Sequence, residues 1–310
     1  MTTPEPILHH FDLSPFSEKL RLVMGFKGLA WRSVKVPLLM PKPDVVALTG
    51  GYRRTPLLQI GADIYCDTAL AARVLDRVAP TPSLYPADQP LAEALAQWAD
   101  SSVFWCAAAW AFQPAGAAAL FANDMAAAKA FGVDRAAMTE GYRRPTFFDG
   151  AAELGTQVAA LDAQLQRGGP FLFGAAPGIA DFAAAHPLWF IRRSTLTQIL
   201  APHAALNAWL DRMLAFGHGR PTPMDSGEAV ALAAASTPAA PAGVAPGQGF
   251  EAGMAVTIAA IDYGCDPVAG TLVGLTPVQA TIARDDPRAG RVHVHFPRHG
   301  FQIRKDKRTP

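Results

Sequence analysis

One stretch constrains this chain more than any other. Residues 237–249 read TPAAPAGVAPGQG, a run of proline, alanine and glycine that cannot bury a core and reads as a linker. The 310 residues, enough for two or three domains, must therefore pack on either side of it. Beyond it, MAVTIAAI, VAGTLVGL, VQATIARDD, GRVHVHF and GFQI are short β-type runs separated by Gly, Pro and Asp turns. This spacing predicts a small all-β domain over 250–304, an SH3-like or related barrel independent of the helical core. It is near the lower size limit for a self-standing core, so it is expected to lean on the rest of the chain or on a second subunit.

Before the linker two zones follow one another. Residues 7–78 alternate short β-like runs (ILHHF, WRSVKV, TPLLQI, DIYC) with helical ones (Pro15 to Gly28 and DTALAARVLDRV), the pattern of a small α/β layer. From Leu91 to about Ala235 the chain is alanine-rich with helical spacing of its apolar residues, broken by turns such as RRPTFFDG, QRGGP and GAAPG. That is an all-helical domain. The working division is 1–80, 91–236, 237–249 and 250–304.

Charge excludes some functions. A formal net charge of +1, with 17% charged residues, gives no electrostatic reason to expect nucleic acid or a membrane surface as partner. The three cysteines, Cys66, Cys106 and Cys265, have neither a CxxC pair nor metal-type spacing, which fits a reducing cytoplasm and no metal. No basic leader opens the chain, and no run approaches the ~18 apolar residues of a membrane span.

Ser14-Pro15 joins the first β-like run to the first helix. Serine is a preferred cap and proline suits the first helical position, so a purely structural reading suffices. The same helix end also offers free N–H groups and a positive dipole to an anion, with the Ser14 hydroxyl aimed at it. Two further motifs bear on the choice: RRTPLLQI, a proline inside a strand-like run, and YCDTALAARVLD, an Asp-Thr pair opening a helix.

Together SPFSEKLRLVMGFKGL, RRTPLLQI and YCDTALAARVLD resemble, in type, order and spacing, the motifs of the cytosolic glutathione transferases, with the serine-containing or cysteine-containing first-helix motif of the tau, zeta and omega branches. The resemblance covers residues 7 to about 237. It implies a thioredoxin-like glutathione-binding domain, a helical C-terminal domain and a homodimer, with the extra β-domain outside the family pattern. It also implies a catalytic Ser14 and a glutathione site drawn from Phe16, Lys42, Arg54, Thr55, Pro56, Asp67 and Thr68. Thr55 stands before a cis proline and pairs its backbone with the peptide-like ligand. Asp67 and Thr68 hold the γ-glutamyl end, Asp67 facing the ammonium. Arg54 and Lys42 compete for the glycyl carboxylate. Glutathione is then a co-substrate and the partner a small hydrophobic electrophile. A non-catalytic protein of this fold, whose β-domain binds a partner, and a glutathione-dependent isomerase or dehalogenase remain open.

Other residues have plainer readings. Trp98, Trp105 and Phe112 recur every seven residues and so share one helix face; Leu13, Trp105 and Phe112 are the candidates for an acceptor pocket, with core packing or dimer contact the competing role. Asp181, in GAAPGIADFAAAHPLW, resembles the family's buried capping aspartate. Cys66 reads as packing. His293, His295 and His299 have the form of a metal site, but with no acidic ligand placed beside them they read as solvated or stacking.

Overall fold

The computed structural model describes residues 5–306. A four-stranded sheet comes first, built from β1 (Ile7–His10), β2 (Ala30–Lys35), β3 (Leu57–Ile60) and β4 (Asp63–Cys66) in the order β2-β1-β3-β4. β1 and β2 are parallel, while β3 runs antiparallel to both β1 and β4. Around it lie α1 (Pro15–Phe26), α2 (Pro43–Thr49) and α3 (Thr68–Val78). This is the thioredoxin-like domain. Ser14 caps α1 as expected, its hydroxyl accepting from the Ser17 N–H at 3.1 Å, and the Thr55–Pro56 bond is cis.

The helical domain runs through α4 (Ala92–Trp98), α5 (Phe104–Ala111), α6 (Pro114–Leu120), α7 (Met125–Met138), α8 (Phe147–Gly168), α9 (Ile179–Arg193) and α10 (Ala204–Leu214). Alanines at Ala96, Ala99, Ala107, Ala180, Ala183, Ala184 and Ala185 are buried in one core with Leu154, Leu161, Phe182 and Trp209. That core continues into α1 and α3 through Leu20, Val23, Leu75 and Val74. Small side chains let these helices approach closely, which is why so alanine-rich a stretch still buries a continuous interior. Among the described residues no single helix is long and apolar enough to cross a membrane.

Two expectations change here. The RPTPM run, read as part of the helical domain, forms strand β5 (Arg220–Met224), parallel to β2. With two prolines it is confined to a sheet edge. The helix after it, α11 (Ser226–Ala234), packs on α2 rather than in the helical core.

The tail departs further. Its strands are β6 (Gly243–Val244), β7 (Ala255–Ala260), β8 (Val268–Leu275), β9 (Gln279–Asp286), β10 (Gly290–Pro297) and β11 (Phe301–Lys305). Among the described residues no closed SH3-like barrel forms: the strands lie in an open order β11-β7-β8-β9-β10, and β10 adds to the free edge of β4. His293, Val294 and His295 stand opposite Asp63, Ile64 and Tyr65. The first sheet and the tail are one continuous sheet. The linker takes part as well, through β6, parallel to β8, and through the Ala239 N–H, which donates to Asp63 at 2.8 Å. Beneath the seam Val36, Leu57, Ile64, Cys66 and Val230 share a core with Leu272, Ile282, Val294 and Phe296. A separate unit of this size would be starved of core, and adding to an open edge solves that while covering unpaired N–H and C=O groups on β4.

Candidate functional site

A cleft of about 430 Å³ opens where the first sheet, the helical domain and the tail meet. Phe16, Arg54, Thr55, Pro56, Asp67 and Thr68 line it from the first domain; Trp98, Asp100 and Ser101 from the helices; Asp262, Tyr263, His299 and Phe301 from the tail. Six residues of the expected glutathione site thus share one cavity. Ser14 and Lys42 lie outside its lining, as do Leu13, Trp105 and Phe112.

Asp67 occupies a backbone conformation that side chains rarely adopt, φ 75° and ψ 140°, a local cost of about 1–3 kcal/mol that the surroundings must sustain. It precedes α3, where its carboxylate accepts from the Ala69 N–H at 2.8 Å. Burial pushes the Asp67 carboxyl above its ordinary range, and the nearby Asp100 charge adds to this, against the lowering effect of the Ala69 bond and Lys19. No cation pairs with it among the described residues.

Beside it Lys19, fully buried on α1, donates to the Thr68 hydroxyl at 3.3 Å and to Asp100 at 2.5 Å. The other Asp100 oxygen accepts from His186 Nε2 at 2.9 Å. Burial works to raise the Asp100 carboxyl, but Lys19 and His186 more than offset it and hold it below the usual range. Asp100 is therefore an ionised group whose charge is already matched. Sequence reasoning missed this network because Lys19 and Asp100 look like ordinary solvated helix residues; only the packing of α9 against both α1 and the Ala99–Val103 turn brings them together.

Asp100 lies in a π-helical turn, Ala99–Val103, that links α4 to α5. Such turns frequently mark functional sites, and this one explains a failed expectation. Its extra residue per turn rotates everything after it, so the sevenfold spacing does not keep Trp98 and Trp105 on one face. Trp98 reaches the cleft, Trp105 packs against Tyr142 and Tyr263, and Phe112 joins Phe131 and Phe190. Leu13 packs against that same satellite cluster around Ala111, Leu120 and Phe190.

The candidates for an anionic ligand end are already engaged. Lys42 is buried and donates to the Thr55 hydroxyl at 3.2 Å; burial, with Arg135 and Arg53 nearby, lowers its ammonium to about 8. Arg54 donates to the Asp262 carboxylate and to the Tyr263 carbonyl, and the Tyr263 ring lies 4.0 Å from its guanidinium carbon. Nothing in the sequence linked residues so far apart.

The remaining assignments are structural. Asp181 is fully buried and accepts from the Leu172 N–H, the Gly178 N–H and the Trp209 indole at 2.9, 3.0 and 2.8 Å. Cys66 is buried, its thiol pushed well up by desolvation, so it packs rather than reacts. The histidine reading needs correction: an acidic neighbour does exist. Asp63 accepts from His295 Nε2 at 2.8 Å, His295 stacks on Tyr65 at 4.4 Å, and Thr281 and Gln279 meet its other nitrogen. His293 and His295 are buried at the seam between β10 and β4 rather than solvated, whereas His299 lines the cleft. Among the described residues no cluster of three or more His, Cys, Asp or Glu could hold a metal.

The family models for the glutathione S-transferase N-terminal and C-terminal domains match residues 8–83 and 135–212. A GST-like protein from Pseudomonas syringae, known from its crystal structure, is 42% identical over 98% of this chain and 100% of that one, with a TM-score of 0.81. More distant solved structures share the fold. Glutathione S-transferase III in apo form is 21% identical over 68% of this chain and 92% of that one, TM-score 0.52. A glutathione transferase from Phanerochaete chrysosporium is 18% identical over 69% and 98%, TM-score 0.55. Comparison with curated proteins gives no match. With three motifs gathered around one cleft, both family models matching in order, and a relative of this identity over its whole length, the chain belongs to the glutathione S-transferase family.

Proposed function

We propose that this protein is a glutathione-dependent transferase acting on a small apolar electrophile, as a cytoplasmic homodimer. One observation carries the reading: Asp67, a carboxylate in no ion pair among the described residues, is held at φ 75° at the head of α3 and shares its cavity with Thr55–Pro56. That pair of features suits a ligand with an α-ammonium at one end and a peptide unit in the middle. Thr68 and the first N–H groups of α3 take the ligand's α-carboxylate, Asp67 its ammonium, and the Thr55 backbone its cysteinyl unit.

Ser14, buried outside the cleft lining but two residues before Phe16, which lines it, acts on the sulfur. Its oxygen already accepts from the Ser17 N–H, which leaves its proton to donate, and the α1 N-terminus favours a thiolate over a thiol. The anion then attacks an electrophilic carbon, forming a C–S bond as the leaving group departs with its electron pair, or adding across an activated double bond. Ser14→Ala tests this: the pKa of bound glutathione rises and conjugation slows, with a stability loss of only about 1 kcal/mol as for any lost cap. Unchanged thiolate absorbance in a merely less stable variant leaves Ser14 a cap and nothing more. The engagement of Arg54 by Asp262 favours a second reading, a non-catalytic protein of this fold. Absence of any calorimetric heat with millimolar glutathione would move the second reading ahead.

A further inference from the structure

In the tail the residues after β7 form a turn that enters the cleft and is held from two sides. On one side Asp262 and the Tyr263 carbonyl accept from Arg54, with the Tyr263 ring stacked on the guanidinium at 4.0 Å. On the other, the Gly264 N–H donates to the Met138 carbonyl at 2.8 Å, and Tyr263 packs edge-on to Trp105 at 5.0 Å and against Tyr142 at 5.8 Å. Asp262 is thus a carboxylate fixed in place by both other domains. Its partner is Arg54, a cation beside Thr55 that would otherwise be available to a ligand's far carboxylate.

We infer that Asp262 is a specificity-determining residue that takes the place of the ligand's distal carboxylate, so that the preferred thiol is a γ-glutamyl-cysteinyl compound whose far end is an ester or an amide. This rests on the glutathione-site reading. The physical reason is like-charge exclusion: a free carboxylate arriving at Arg54 must displace or face Asp262, whereas a neutral end does neither. The side chains around that end, Tyr263 and Phe301, present aromatic surface to Arg54 at 4.0 and 5.9 Å and suit an uncharged group.

The test is titration of the full chain, and of Asp262→Ala and Asp262→Asn, with glutathione and with its glycyl monoethyl ester. The side chain of Asp262 is 42% exposed, so both variants keep the fold, and the asparagine keeps its size. In the unaltered protein the ester binds at least as tightly as glutathione. Either substitution improves glutathione by tenfold or more and leaves the ester unchanged. If glutathione outbinds the ester tenfold and neither substitution alters that ratio, the inference fails while the thiol site stands. If Asp262→Ala improves both thiols equally, Asp262 is an obstruction and not a selector. If no thiol binds any of the three proteins, the site reading falls, and the inference with it.

Discussion

Replacing Phe296 by alanine measures whether the tail shares its fold with the first domain. Phe296 sits on β10, is fully buried, and meets Tyr52 and Phe301 at 6.0 and 5.6 Å between ring centres. Its neighbours in the core include Val36, Leu57 and Ile64 from the first domain as well as Leu272 and Ile282 from the tail. Removing such a ring costs about 4 kcal/mol of lost transfer energy and cavity. If the chain melts as one unit, unfolding entropy of ~2.1 cal/mol/K per residue makes this a fall in Tm of roughly 6 °C. In a separate tail of about 55 residues the same loss would lower its own Tm by roughly 30 °C or more, leaving it unfolded near room temperature. Differential scanning calorimetry distinguishes the two. The expected trace is one transition that moves as a whole. A small transition of about 40 kcal/mol that vanishes or separates at low temperature, with the main peak unmoved, would refute the shared core. The same reasoning expects truncation after Ala240 to expose the edge of β4 and the core beneath it, and so to yield an aggregating rather than a well-folded product.

Two further predictions follow from buried polar groups. His9 and His10 are held neutral by burial, lowered to about 4 and about 3 from an ordinary 6.5. An unfolded chain therefore binds protons there that the folded chain refuses. Stability is full above pH 6.5 and falls as the pH drops toward 5, by roughly 1.4 kcal/mol per pH unit for each group once both titrate fully; urea unfolding that is flat or more resistant over this range would contradict it. Asp181→Ala strands the Leu172, Gly178 and Trp209 donors and lowers stability by about 2–4 kcal/mol with glutathione affinity unchanged. A loss below about 0.5 kcal/mol in urea titration would mean that water replaces the carboxylate without penalty.

Much of this protein is written locally. The Ser14 cap, the proline within RRTPLLQI, the Asp67-Thr68 helix start and the Asp181 cap on the Gly178 N–H each depend on residues a few positions apart, so spacing and turn chemistry in the sequence suffice to find them. The order of α/β, helical and β zones is equally legible, because helix and strand periodicities differ. What only the tertiary structure decided are the long-range meetings. A β-type run looks the same whether it closes into a barrel or adds to a distant edge, since the pairing is made by backbone groups that every residue carries; β10 joined β4 for the burial this gave both. That seam put Asp63 against His295 and carried Asp262 onto Arg54. The π turn at Ala99–Val103 left no mark in the spacing of Trp98 and Trp105, because one added residue per turn changes which way side chains face without changing which residues they are.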